Sequence, residues 1–125
     1  MLYRLFIILI SFNAVAQEYE ITSENIEINT ELKTINYINN VVYESQQIFF
    51  TADKLFLNQE TDSFVALGSP VKIKFYDGFE FIEGEAEKVE IDSKLLKLSN
   101  NVSILKSGNK INSEKMTIKL ANDKS

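Results

Sequence analysis

The sequence predicts an all-β domain of about ten short antiparallel strands, on three observations. Apolar and polar residues alternate almost throughout the chain after residue 16. Clusters of turn-forming residues separate the alternating runs. One short segment recurs four times. Alternation at period two, with β-branched and aromatic residues at the apolar positions, marks strands with one buried face.

The elements follow in order. The chain starts MLYRLFIILISFNAVAQ. Arg4, the apolar run Leu5–Ile10 and the small-x-small end Ala14-Val15-Ala16 have the layout of a secretory leader, with cleavage expected after Ala16. The apolar run is well short of the ~20 residues a spanning helix needs. Residues 1–16 are therefore read as a signal peptide and 17–125 as one domain. Tyr19–Asn29 reads as a first strand and Lys110–Leu120 as a last one. Between them lie Val41-x-Tyr43, Val71-x-Ile73-x-Phe75 and Val102-x-Ile104. Asp77-Gly78 and Ser107-Gly108-Asn109 signal hairpins. Glu44–Gln47, Asn29–Lys33, Gln59–Asp62 and Asp92–Lys94 are further polar connections.

The recurring segment reads ITSENIEIN, FTADKLFLN, EAEKVEID and INSEKMTIKL. Its core is a small residue (Ser23, Ala52, Ala86, Ser113), then an acid (Glu24, Asp53, Glu87, Glu114), then in three copies a lysine. Spacings of 29, 34 and 27 residues between copies suggest a repeated supersecondary unit. Each small residue lies three positions before the next apolar one, and an odd step flips the face of an ideal strand. Keeping Phe50, Leu55 and Leu57 on one interior requires a bulge or corner at Ala52-Asp53-Lys54. The acids are expected to bond free backbone N–H groups at these bends. A second recurring element, INYINNVVY, VALGSPVKI and LKLSNNVSI, has a gap of four that preserves the face. Asn39-Asn40, Gly68-Ser69 and Asn100-Asn101 fill it, residue types that tolerate left-handed backbone.

Composition narrows the function. Thirteen basic residues against eighteen acidic give −5, and removal of Arg4 with the leader gives −6. Such a chain is poorly suited to nucleic acid or an anionic bilayer. It has no cysteine, so an exported domain must rely on its core. It has no histidine, which removes the commonest general base and the usual zinc sites. The acid-lysine pairs recur as bend chemistry would, whereas an active site occurs once. The sequence points away from an enzyme, a cofactor or a metal centre.

The ordered succession FTADKLFLN, ALGSPVKIKF, DGFEFIEGEAEKVEID and LSNNVSILKSGNKINSEKMTIKL resembles the OstA-like domain family of periplasmic lipopolysaccharide-transport proteins, over roughly residues 20–120. The leader and short length fit its LptA type. The resemblance implies a twisted, open β-jelly roll in the periplasm that binds lipopolysaccharide. It also implies joining, through edge strands, to an LptC-like inner-membrane protein, an LptD-like outer-membrane translocon or further copies of the chain. Acyl chains would meet an apolar groove lined by the in-phase residues Ile26, Ile28, Tyr37, Val41, Phe50, Leu55, Leu57, Leu67, Val71, Ile73, Val89, Ile91, Val102, Ile104, Met116 and Ile118. An ordinary closed sandwich would be lined identically. Lys72, Lys74, Lys106 and Lys110 are candidates for lipid phosphates, against a plainer reading as solvated strand faces. An LptC-like protein, or a carbohydrate-binding or adhesion β-sandwich using Tyr76 and Phe79, is the alternative.

Overall fold

A computed structural model describes residues 19–93 and 95–120; the leader expected at 1–16 lies outside these. Eight strands follow in order: β1 (Tyr19–Thr22), β2 (Asn25–Asn29), β3 (Thr34–Ser45), β4 (Ile48–Asn58), β5 (Ser63–Tyr76), β6 (Phe81–Asp92), β7 (Leu95–Lys106) and β8 (Asn109–Lys119). They form one antiparallel sheet in the order β1-β3-β4-β5-β6-β7-β8, with β2 also on β3. β1 pairs with the Val42–Ser45 half of β3 and β2 with the Thr34–Ile38 half. Sequence neighbours pair throughout β3 to β8, so each connection is a tight turn.

All six expected connections lie between strands. Asn29 Oδ1 accepts from Glu31 N and Leu32 N, and Asn58 Oδ1 from Glu60 N and Thr61 N. Asp77 Oδ1 does the same for Phe79 N and Glu80 N. A side-chain acceptor thus closes each of these turns. Ser107 and Gly108 both have positive φ, 51° and 82°, as a two-residue hairpin with right-handed strand twist requires.

The structure corrects the strand count. Ten short strands were expected, but there are eight among the described residues, and six of them run to 11–14 residues. The alternation breaks in mid-strand without the chain leaving the sheet. Register shifts fall at Ile38/Val41, Thr51/Lys54, Leu67/Val71, Glu85/Lys88 and Ser99/Val102, across five neighbouring ladders. The bulges sit in the odd strands. Asn39 and Asn40 (φ 67° and 51°) and Asn100 and Asn101 (φ 70° and 57°) supply the left-handed residues. The acid of the even strand faces them: Ile38 and Val41 pair Lys54 and Ala52, leaving Asp53 opposite the bulge.

These corners fold the sheet over on itself. Phe50 pairs Tyr43, and Leu57 pairs Phe64. Straight, the seven residues from 50 to 57 would separate those rows by about 23 Å. Yet the Tyr43 and Phe64 rings are 5.4 Å apart. The two halves of each strand therefore face each other across a common core. Phe50, Leu55 and Leu57 are all buried in it, as the expected bend at Asp53-Lys54 requires.

Candidate functional site

The core is a set of cross-strand rows. One runs Ile26–Tyr37–Leu55–Ala66–Val89–Leu98–Met116, from β2 to β8. The next runs Ile28–Ile35–Leu57–Phe64–Ile91–Leu96–Ile118. On the other side of the corner, a third runs Ile21–Tyr43–Phe50–Ile73–Gly84–Ile104–Ile111. Directly opposed residues of an antiparallel pair share a face, so each row is one continuous apolar band. Among the described residues, no polar or charged one is buried in the core.

Of the sixteen residues expected to line the interior, Tyr37, Val41, Phe50, Leu55, Leu57, Val71, Ile73, Val89, Ile91, Val102 and Ile104 are buried in this core. Met116 and Ile118 pack against it, partly buried, from the edge strand β8. Three placements need correction. Ile26 and Ile28 lie in the inward rows but are 51% and 60% exposed, because β2 is an edge with a neighbour on one side only. Leu67 points outward, 45% exposed, in a row with Lys54 and Lys88. Between buried residues, the β5 corner holds four residues (67–70) where the β3 and β7 corners hold three (38–40 and 99–101). The extra residue shifts the phase of the first half of β5, so Phe64 and Ala66 point inward instead.

The sequence list also missed Tyr43, Phe64, Phe75, Ile48, Ile82, Leu96 and Leu98, all buried. Simple continuation of each strand's alternation would have found most of them. Tyr43 is the centre of an aromatic cluster. It stacks on Tyr19 (5.5 Å) and Phe50 (4.8 Å) and meets Phe64 edge-on. Burial pushes its hydroxyl up to about 12, with the nearby Tyr19 and Asp62 adding and a hydrogen bond from Ser45 opposing. Burial likewise raises Tyr19 and Tyr37.

Two of the recurring acids take partners other than those expected. Glu24 accepts from Asn40 Nδ2, and Glu87 from Asn101 Nδ2 at 2.8 Å. Their partners are side-chain amides of the adjacent bulge, not backbone N–H groups. Asn40 and Asn101 are left-handed and exposed, and their amides donate to these carboxylates on the outer side. The corner's outer side carries a shallow depression of about 400 Å³, lined by Asp53, Lys54, Leu67, Gly68, Ser69, Glu87, Lys88 and Asn100. Four charged residues (Asp53, Lys54, Glu87 and Lys88) line it, and none of its lining residues belongs to the apolar rows.

Of the candidate lysines, Lys72, Lys74 and Lys110 are exposed on the outer face. Lys106 instead bridges Asp77 (2.9 Å) and Glu80 (3.3 Å), tying two neighbouring hairpin turns together. The Glu80 and Phe79 amides and the Lys106 ammonium hold the Asp77 carboxyl at about 2, the Glu80 amide contributing most. Tyr76 packs on Phe81 at 5.2 Å, while Phe79 is 82% exposed at the turn. Among the described residues, no cluster of His, Cys, Asp or Glu could hold a metal ion.

Residues 20–124 match the family described as LptA/(LptD N-terminal domain) LPS transport protein. The chain belongs to this family. No curated protein matches it significantly. Among solved structures it is similar to LptH from Pseudomonas aeruginosa, described as the LptA homologous periplasmic component of the conserved lipopolysaccharide transport device. The superposition has a TM-score of 0.74 at 14% identity, covering 81% of this chain and 75% of that one. The fold is thus the open β-jelly roll of the family, and the family's role is lipopolysaccharide transport.

Proposed function

We propose that this family member is a periplasmic bridge protein. It carries lipopolysaccharide from the inner to the outer membrane and holds the acyl chains against its apolar interior. One observation carries the reading: apolar rows cross the whole sheet and emerge at both edges, as Ile26 and Ile28 on β2 and as Ile111, Met116 and Ile118 on β8. Each methylene moved from water to such a surface gains ~0.8 kcal/mol. A multi-acyl lipid is therefore better held by this surface than by charge. The acidic balance fits, since anionic head groups would find little bulk attraction.

The middle of each row is tightly packed, so acyl chains enter where cover is thinnest. The rim residues Ile26, Ile28 and Met116 make first contact, and parting of the two layers then reaches Leu55 and Leu57. The leader at 1–16, cleaved after Ala16, delivers residues 17–125 to the periplasm. Free edges on β1–β2 and β8 join neighbours by strand addition, an LptC-like protein at one side of the compartment and an LptD-like translocon at the other.

The test is site-specific photo-crosslinking in cells at Ile28, Met116, Phe50 and the outward Lys72. Lipopolysaccharide adducts at Ile28 and Met116 and none at Lys72 are expected. Adducts at Lys72 with none at the inward positions would sink the groove reading.

A further inference from the structure

The outer face of the sheet is not evenly polar. Phe49, Phe81 and Leu105 are 40%, 54% and 49% exposed, at the same end of β4, β6 and β7. Tyr76, the last residue of β5, packs on Phe81 there. Buried Phe50, Ile73, Phe75 and Ile82 alternate with these residues, so the patch lies on the side away from the core. One outward row runs Glu44–Phe49–Lys74–Glu83–Leu105–Lys110, from β3 to β8. Beside it, toward the corner, runs Thr51–Lys72–Glu85–Ser103. On its other side, toward the turns, Tyr76 pairs Phe81. Lys72, Lys74, Glu83 and Glu85 are exposed, and among the described residues none of the four is in an ion pair.

The long row is its own complement under reversal. Its order is acid, apolar, base, acid, apolar, base. Reversed and laid on itself, every base meets an acid and every apolar residue an apolar one. A two-fold axis along the strands, between β5 and β6, performs that reversal on a second copy placed against the same face. Phe49 then faces Leu105 of the other copy, Lys74 faces Glu83 and Glu44 faces Lys110. The flanking rows obey the same rule: Lys72 meets Glu85, Thr51 meets Ser103 and Tyr76 meets Phe81. An axis across the strands through the long row would instead set Lys74 against Lys74 and Glu83 against Glu83. Like charges so placed are costly, so the charges select the first axis.

We propose that two copies of the chain pack back to back through this outer patch, about a two-fold axis along the β5–β6 hairpin. Twisted sheets stack face to face at about 10 Å with their strands nearly aligned, which suits this axis. Six strands by three rows give a footprint of roughly 24 Å by 14 Å, so the dimer is weak and reversible. It is also closed, because both copies use the same face and nothing is left over to propagate. The axis reverses strand order, so the interior rows of the two copies run in opposite directions. The backbone edges of β1–β2 and β8 stay free, and the interior lies on the far side of each sheet. The pairing therefore stands independently of the transport reading.

Charge reversal in the middle of the sheet tests it, away from both edges. In sedimentation velocity at low salt, K74E and E83K should each weaken dimer formation about tenfold or more, since each sets acid on acid or base on base. An equimolar mixture of the two should recover it, because the reversed faces complement one another. Both variants remain net acidic, so bulk attraction does not account for the recovery. F81S removes an exposed ring and should also leave the chain monomeric, and unchanged circular dichroism checks that all three variants fold. Benzoylphenylalanine in place of Phe81, with one copy isotopically labelled, should trap a dimer whose adduct lies on β5 of the other copy. Association that neither reversal alters, no recovery in the mixture, or adducts confined to β1, β2 and β8 would overturn the proposal. So would a wild-type chain that stays monomeric at high micromolar concentration. If such a monomer binds lipid-free core oligosaccharide and F81S abolishes that binding, the patch is a saccharide platform instead. Lipid adducts at Ile28 and Met116 are expected to persist in K74E and F81S, so failure of the dimer and failure of the groove reading are separate results.

Discussion

Leu57 and Ile28 stand in one cross-strand row, on one face of one sheet, with only Ile35 between them. Leu57 is 4% exposed and Ile28 60%. Both are aliphatic residues in alternating strands, and nothing in their local sequence separates them. The difference is the number of neighbouring strands: β4 has β3 and β5 beside it, while β2 has β3 alone. The centre of each row is therefore buried between neighbouring strands, and its ends are exposed at the sheet edges.

Truncation at the two places breaks or confirms that division. Leu57→Ala should cost ~2–5 kcal/mol, the range for a buried leucine that leaves a cavity. Ile28→Ala should cost no more than ~0.5 kcal/mol, as at an exposed site. Urea denaturation followed by circular dichroism measures both. Equal losses would mean that the rim is structural core. In the lipid-crosslinking assay, Ile28→Ala should weaken capture at the rim directly, while Leu57→Ala should act at the later contact and through stability.

Gly84 sharpens the picture within the core. It stands in the row between Ile73 and Ile104, and a Cβ built there would lie 2.7 Å from Ile104 Cγ2 and 3.1 Å from Ser103 O. Gly84→Ala should destabilise by ~1–3 kcal/mol through overpacking. Ile104→Val beside it keeps Cγ2 and should recover little of that, because only the distal Cδ1 is removed. A neutral Gly84→Ala would mean that the Ile104 side chain on the paired strand can shift aside at this point.

The period-two alternation, the turns and the corner at Asp53-Lys54 were legible because each depends on a few adjacent residues. Asn29, Asn58 and Asp77 act within three positions of themselves. What was not legible depends on the whole sheet. Ile26 and Ile28 read as interior because their strand's alternation is correct; their exposure follows from β2 having no second neighbour. Leu67 read as interior because the β5 corner was aligned to those of β3 and β7, and one additional residue reverses the face of everything before it. Strands were overcounted because a bulge and a turn interrupt alternation in the same way in one dimension. The ladder across neighbours distinguishes them.

The corners give a smaller effect. Asn101 has φ 57° and donates to Glu87. Asn101→Ala should cost ~1–2 kcal/mol, since a Cβ without a polar group gains nothing in the left-handed region. Asn101→Gly keeps the conformation and loses only the exposed hydrogen bond, so its cost should be smaller, ~0.5–1 kcal/mol. If glycine costs as much as alanine, the Glu87 bond and not the backbone holds the corner.

The smallest expected effect is at the far end of the hairpins, where Asp77 and Glu80 clamp Lys106. The Asp77 carboxyl titrates at about 2 in the folded chain, below its ordinary 3.8. A carboxyl lowered on folding stabilises at pH values above its unfolded value, and that contribution fades as pH falls through the folded one. The loss therefore falls between about pH 4 and pH 2. Asp77→Asn keeps an oxygen to accept from Phe79 N and Glu80 N but forms no ion pair with Lys106. Its melting temperature should follow a flatter acid limb than the wild type over that interval, and the two curves should converge near pH 2. Added salt should narrow the gap above pH 4, because the pair is exposed and screened. Parallel curves from pH 5 to pH 2 would show that the turn is held by its backbone hydrogen bonds alone. The ion pair would then be as dispensable for stability as the rim residue Ile28.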